Sequence, residues 1–121
     1  MPQDPVIFDQ TDNTGHAARA VEGPVMLVNL FTPKPGQEQA FIDAQTAEYR
    51  RLEVEGWMGN RLGRSVDGGK LVNVAVFSSL AAYKLWRASD AFAAHVEVIR
   101  PHVEQAAPGM YEILYSAGQI P

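Results

Sequence analysis

Asn29 and Asn73 occupy matching settings in two apolar runs of the chain. These are Val25-Met26-Leu27-Val28-Asn29-Leu30-Phe31 and Leu71-Val72-Asn73-Val74-Ala75-Val76-Phe77. Each run is bounded by turn or cap residues and rich in β-formers, so each reads as a buried strand. Side chains alternate across a strand. Met26, Val28 and Leu30 therefore share a wholly aliphatic face, as do Val72, Val74 and Val76. The opposite faces carry Phe31 and Phe77, with one carboxamide each. An unpaired amide in an apolar setting costs about 1–3 kcal/mol, so both need partners. They can bond each other, nearby backbone or trapped water. They can also donate to an oxygen that gains negative charge during a reaction. Asparagine is no base at neutral pH. The pair suits a substrate that gives up its proton readily and whose anion must be held and oriented.

His95 is the best candidate for a base or proton shuttle, with packing in the core or at the surface as the plainer alternative. Trp57, Phe77, Tyr83 and Trp86, together with Phe31, serve either as core or as the walls of a slot for a flat aromatic ligand. His95 and His102 are seven residues apart, two helical turns, with no third ligand in step, so no metal is expected. Arg61 and Arg64 could meet an acidic group on a ligand or lie at an exposed edge. The glycines between Gly56 and Gly69 lack the strand-to-helix setting of a dinucleotide loop.

The elements that must position these residues follow from the order of the chain. Residues 1–23 are polar apart from Val6-Ile7-Phe8. They read as an arm, with room for one short edge strand, that could pack on a partner subunit. The first strand covers 24–32 and is ended by Pro33 and Pro35. A helix is expected from Gln37 to about Val54, with Phe41, Ala44, Glu48 and Leu52 near helical spacing and Gly56 as its stop. Trp57–Ser65 and the Leu71–Phe77 strand form a hairpin through Asp67-Gly68-Gly69. Ser78 or Ser79 caps the next helix, which breaks and restarts at Ser89-Asp90. Phe92, Val96, Ile99 and Val103 are its apolar stripe, and Pro101 ends or kinks it near Ile99. After Pro108-Gly109 a last strand runs from Met110 to Tyr115.

Strand, helix, strand, strand, helix, strand is a ferredoxin-like α+β unit with an antiparallel sheet. Its helices cover one sheet face. The aliphatic face needs other cover, and a second copy of the chain supplies it, giving a homodimeric α+β barrel. The expected organisation is an arm over 1–23, one domain over 24–117 and a tail over 118–121. The chain has 121 residues, no cysteine and a net charge of −4. These values fit one domain and exclude a disulfide framework or thiol chemistry. With no basic stripe, nucleic acid is not an expected partner. No apolar run reaches the roughly 18 residues of a membrane span, and a soluble, cytoplasmic protein is expected.

The chain resembles the antibiotic biosynthesis monooxygenase family of dimeric α+β barrels over about residues 24–117. The likeness is carried by Val28-Asn29-Leu30-Phe31, Arg64-Ser65-Val66-Asp67, Val72-Asn73-Val74-Ala75-Val76-Phe77 and Ser89-Asp90-Ala91-Phe92-Ala93-Ala94-His95. It is most similar to the cofactor-independent, quinone-forming members of aromatic polyketide pathways. Those carry Asn at the positions of Asn29 and Asn73, and commonly Trp where this chain has Phe77. The resemblance implies oxidation of an anthrone-like phenol to a quinone by dioxygen, without flavin, haem or metal. Asn29 and Asn73 would bond the substrate oxygens, and His95 or a water would carry the proton. Two other branches of the fold give alternatives. One is a non-catalytic binding or stress-related barrel. The other is a haem-degrading enzyme, for which Asn29, Trp86 and His95 would be the relevant residues, with a Trp-to-His spacing one residue shorter here.

Overall fold

The computed structural model describes residues 12–16 and 20–120. Four strands form one antiparallel sheet: β1 (Val25–Pro33), β2 (Trp57–Arg64), β3 (Leu71–Phe77) and β4 (Val103–Glu112). Their spatial order is β2-β3-β1-β4. Three helices, α1 (Glu38–Arg50), α2 (Leu80–Arg87) and α3 (Asp90–Ile99), complete the ferredoxin-like α+β unit. No helix among the described residues is long and apolar enough to cross a membrane. The Val6-Ile7-Phe8 edge strand expected above lies outside the described residues.

Local chemistry explains most of the boundaries. The β2–β3 hairpin closes with Ser65 N–H on the Lys70 carbonyl at 2.9 Å, and Gly68 and Gly69 supply the positive φ that its turn requires. Ser79 Oγ caps α2 by accepting from Ala82 N–H, and Ser89 Oγ caps α3 by accepting from Phe92 N–H. These two caps make the expected helix break. α3 stops at Ile99, and a short 3-10 turn, Arg100–His102, holds Pro101.

Two elements differ from the sequence expectation. α1 ends at Arg50 instead of reaching Val54, because the Arg51 and Leu52 amides both turn back onto the Tyr49 carbonyl. Its buried residues are Phe41, Gln45 and Tyr49, not the stripe through Ala44, Glu48 and Leu52. Gly56 (φ 88°) is therefore no helix stop. It belongs to the turn into β2, where Ser78 N–H bonds its carbonyl at 2.7 Å. β4 begins at Val103, well before Met110, and takes Pro108-Gly109 into its middle. β4 is an edge strand paired only with β1, and an edge tolerates a residue without an amide hydrogen.

The register of β1 on β3 makes Asn29 and Asn73 direct Cα partners. Both lie on the helix-covered face and are buried. The core is split at their level. Phe31, Phe41, Leu71, Ile99, Val103 and Ala106 form one apolar cluster, and Val25, Leu27, Ala75, Phe77, Tyr83, Trp86 and Met110 the other. On the opposite sheet face Met26, Val28, Val72, Val74 and Val76 are only half-buried, and Leu30 is 49% and Tyr111 53% exposed.

Candidate functional site

Between the two clusters lies a polar layer. The buried polar residues among those described are Asn29, Gln45, Asn73 and His95, and all four line one cavity between the sheet and the helices. β1 and β3 supply the asparagines, α1 supplies Gln45 and α3 supplies His95. Phe31, Tyr49, Tyr83, Trp86 and Phe92 add aromatic walls. The cavity is about 20 Å³, room for roughly one water.

Asn73 is held on both sides. Its Oδ1 accepts from Asn60 Nδ2 at 2.9 Å, and its Nδ2 donates to the Tyr49 hydroxyl at 3.4 Å. Burial pushes the Tyr49 phenol up to about 12, so it keeps its proton and has it to give. Gln45 Oε1 and Trp86 Nε1 are buried with no hydrogen-bond partner among the described residues. Buried polar atoms are almost always satisfied in folded proteins. Both residues line the cavity, where a water or a ligand polar group could bond them.

His95 sits in an aromatic cage. Its ring is 5.5 Å from Tyr49, edge-on, and 6.3 Å from Trp86. Its Nδ1 faces Glu48 Oε1 at 3.4 Å. Burial lowers its pKa, and the hydrogen bond and charge of Glu48 only partly oppose this. The imidazole is therefore neutral near pH 7 and able to accept a proton.

A charged cluster closes one side. Asp12, from the segment before β1, accepts from the Tyr83 hydroxyl at 2.5 Å and from Arg87 Nη1 at 2.6 Å. Its other oxygen accepts from the amide and hydroxyl of Thr14. Burial alone would raise the Asp12 pKa, but these bonds and the Arg87 charge together bring it below the ordinary value. Burial first, and then the Asp12 hydrogen bond, raise the Tyr83 pKa. Next to Asp12, the Asn13 side chain bonds both the amide and the carbonyl of Met110. This part of the arm thus docks on its own chain.

Among the expected site residues, Asn29, Asn73, His95, Phe31, Tyr83 and Trp86 meet at the cavity. Phe77 stands behind them, fully buried, with its ring 5.3 Å from Tyr83 and 5.5 Å from Trp86. Trp57 lies elsewhere, in a cleft between α1 and β2. His102 turns away to Gln37 at 2.9 Å. Arg61 is exposed, and Arg64 pairs with Glu38 at 2.7 Å. Sequence reasoning missed Gln45, Tyr49, Asn60, Asp12 and Arg87. The spacing Phe41, Gln45, Tyr49, four residues apart each time, could have revealed two of them.

The model of the antibiotic biosynthesis monooxygenase family matches residues 24–98. The chain belongs to the antibiotic biosynthesis monooxygenase family. Solved structures with the same fold include Rv0793 from Mycobacterium tuberculosis, 24% identical, with a TM-score of 0.67 over 78% of this chain and 99% of that one. SO0527 from Shewanella oneidensis is 24% identical, with a TM-score of 0.64 over 77% and 93%. SnoaB from Streptomyces nogalater, a cofactor-independent oxygenase, is 22% identical, with a TM-score of 0.63 over 80% and 99%. No curated protein matches the chain. The family model begins at Pro24 and ends at Val98, so Asp12 lies outside the matched region while its partners Tyr83 and Arg87 lie within it.

Proposed function

We propose that the protein is a cofactor-independent monooxygenase that oxidises a phenolic, anthrone-like aromatic to a quinone with dioxygen. The observation that carries this is the convergence of every buried polar residue described, Asn29, Gln45, Asn73 and His95, on one aromatic-walled cavity. Membership of the antibiotic biosynthesis monooxygenase family, and a fold shared with the cofactor-independent oxygenase SnoaB, support the same chemistry.

In this reading the substrate methylene loses a proton to neutral His95 or to a water beside it. The amides of Asn29 and Asn73 donate to the phenolate and carbonyl oxygens, over which the carbanion's charge spreads. The carbanion passes one electron to dioxygen, and the radical and superoxide combine into a peroxide. Protonation gives a hydroperoxide. Loss of the second carbon-bound hydrogen with cleavage of the O–O bond leaves a ketone and one water. One oxygen atom enters the product and the other leaves as water. Phe31, Phe77, Tyr83 and Trp86 keep bulk water from the anion, and Trp57 contacts the distal rings. The working unit is a homodimer joined through the aliphatic sheet face.

The test is oxygen uptake by metal-free, flavin-free protein supplied with dithranol. One dioxygen consumed per quinone formed is expected, and uptake no faster than the protein-free blank overturns the reading. A second reading, a binding barrel without catalysis, is favoured by the engagement of Asn73 with Asn60 and Tyr49. It predicts saturable binding of the same compound with no uptake.

A further inference from the structure

The inner cavity is too small for a ring system, yet a larger space adjoins it. Between α1 and β2 a cleft of about 460 Å³ is lined by Thr46, Arg50, Trp57, Asn60 and Leu62. That volume lies within the usual range for small-molecule pockets, about 300–1,000 Å³. Gln45 and Tyr49 line both spaces and form the partition between them.

The partition has features of a joint more than of a wall. A side-chain chain of hydrogen bonds crosses it. Asn60, in the cleft, donates to Asn73, in the cavity, and Asn73 donates to Tyr49 over a long 3.4 Å contact. Gln45 is 1% exposed, and its Oε1 has no hydrogen-bond partner among the described residues. The indole nitrogen of Trp57, a residue that lines the cleft, is also buried with no hydrogen-bond partner among the described residues. An unsatisfied buried polar atom costs about 1–3 kcal/mol. A ligand hydroxyl suits either group, since it donates to an amide oxygen and accepts from an indole N–H. Glutamine is unbranched, so Gln45 can swing without moving α1. Among the described residues Arg50 is the one charged side chain lining the cleft, which favours an ionised phenol.

We propose that the α1–β2 cleft is the outer half of the ligand site. It admits a flat polycyclic phenol edge-first, past Gln45 and Tyr49, to the Asn29–Asn73 pair. Trp57 stacks on the rings that stay outside, and Asn60 and Gln45 take their hydroxyls. The proposal rests on the reading of the inner cavity as the reacting site.

The test uses 1,8-dihydroxyanthraquinone, whose central carbons are already oxidised, so that binding is read without turnover. The chain has two tryptophans, and their indole N–H signals in ¹⁵N-labelled protein report the cleft and the cavity separately. Saturable movement of the Trp57 signal is expected. Thr46→Phe, which fills the cleft away from the reacting groups, should weaken Kd at least tenfold. If that variant does not fold, Arg50→Glu should weaken Kd at least fivefold where the phenol is ionised. Movement of the Trp86 signal alone, unchanged affinity in a folded variant, or no binding up to the solubility limit overturns the proposal. Oxygen uptake with dithranol is measured on the same protein. Uptake without a Trp57 response overturns the cleft alone. A Trp57 response without uptake supports the cleft and overturns the monooxygenase reading.

Discussion

The carboxylate of Asp12 accepts a hydrogen bond from the phenol of Tyr83, 71 residues further along the chain. With Arg87 on the same oxygen, this contact ties the segment before β1 to the wall of the candidate site. Hydrogen bonds to charged groups contribute about 1.5–3 kcal/mol. Asp12→Ala should therefore lower unfolding stability by about 2 kcal/mol in denaturant titrations. It should also speed amide exchange at Met110, which Asn13 holds from the same segment. Stability unchanged within about 0.5 kcal/mol would mean that the contact contributes only the little expected of a surface pair.

Removing an amide that stabilises developing negative charge costs about 10²–10³ in turnover. Asn29→Ala and Asn73→Ala should each show a loss of that size in steady-state oxygen uptake. Asn73→Ala should also lose stability, by about 1–3 kcal/mol, because Asn60 and Tyr49 are left without their shared partner. A loss under about threefold at both positions removes them from the mechanism.

The pH profile should carry the mark of His95. Burial favours the neutral imidazole in the folded chain, so the unfolded chain takes up the proton first as pH falls. Stability from this group is full above about pH 6.5, the ordinary histidine value. It drops as pH falls from there to the lowered folded value, and then levels off. The acid limb of the rate profile should likewise have its midpoint below about 6.5. Glu48→Gln removes the charge that opposes the shift and should move that midpoint lower still. A midpoint above 6.5 would show that another group titrates.

Gly56 combines a φ of 88° with close contact to α2. A Cβ there would stand 2.5 Å from the Cβ of Ala82. The left-handed backbone costs an ordinary residue about 1–2 kcal/mol, and overpacking adds about 1–3 kcal/mol. Gly56→Ala should thus destabilise the fold by about 2–5 kcal/mol. It should also disturb Tyr83 and Trp86, which α2 carries into the site. Near-UV circular dichroism and thermal melts read both effects.

The aliphatic sheet face gives a prediction about assembly. Val74 lies at its centre, opposite Val28 in the β1–β3 register. Val74→Asp should convert a dimer into a monomer in sedimentation or light scattering, since a buried charge without a partner is strongly disfavoured. A monomer in the unaltered protein would remove that face from any role in self-association.

The strands and the helix break were legible because their signals are local. The period-two pattern of 71–77 and the serines at 79 and 89 needed no tertiary information. The end of α1 and the start of β4 were not. The first depends on amides folding back onto Tyr49, and the second on β4 lying at a sheet edge where Pro108 is tolerated. The same split applies to the site. Asn29 and Asn73 stood out as polar exceptions in apolar strands. Gln45 did not, because a glutamine in a polar helix looks ordinary until the helix is docked. Asp12 is further still from view, since only the folded chain brings residue 12 beside residue 83.

Strand alternation also decides how two copies would share their work. Asn29 and Asn73 point to one side of the sheet, and Met26, Val28, Val72 and Val74 to the other. A partner seated on the second side would be separated from each reaction centre by a full sheet layer and would lend it no side chain from that face. Two such centres would turn over independently. Saturation would be hyperbolic, and a mixed pair with one disabled copy would keep half its rate.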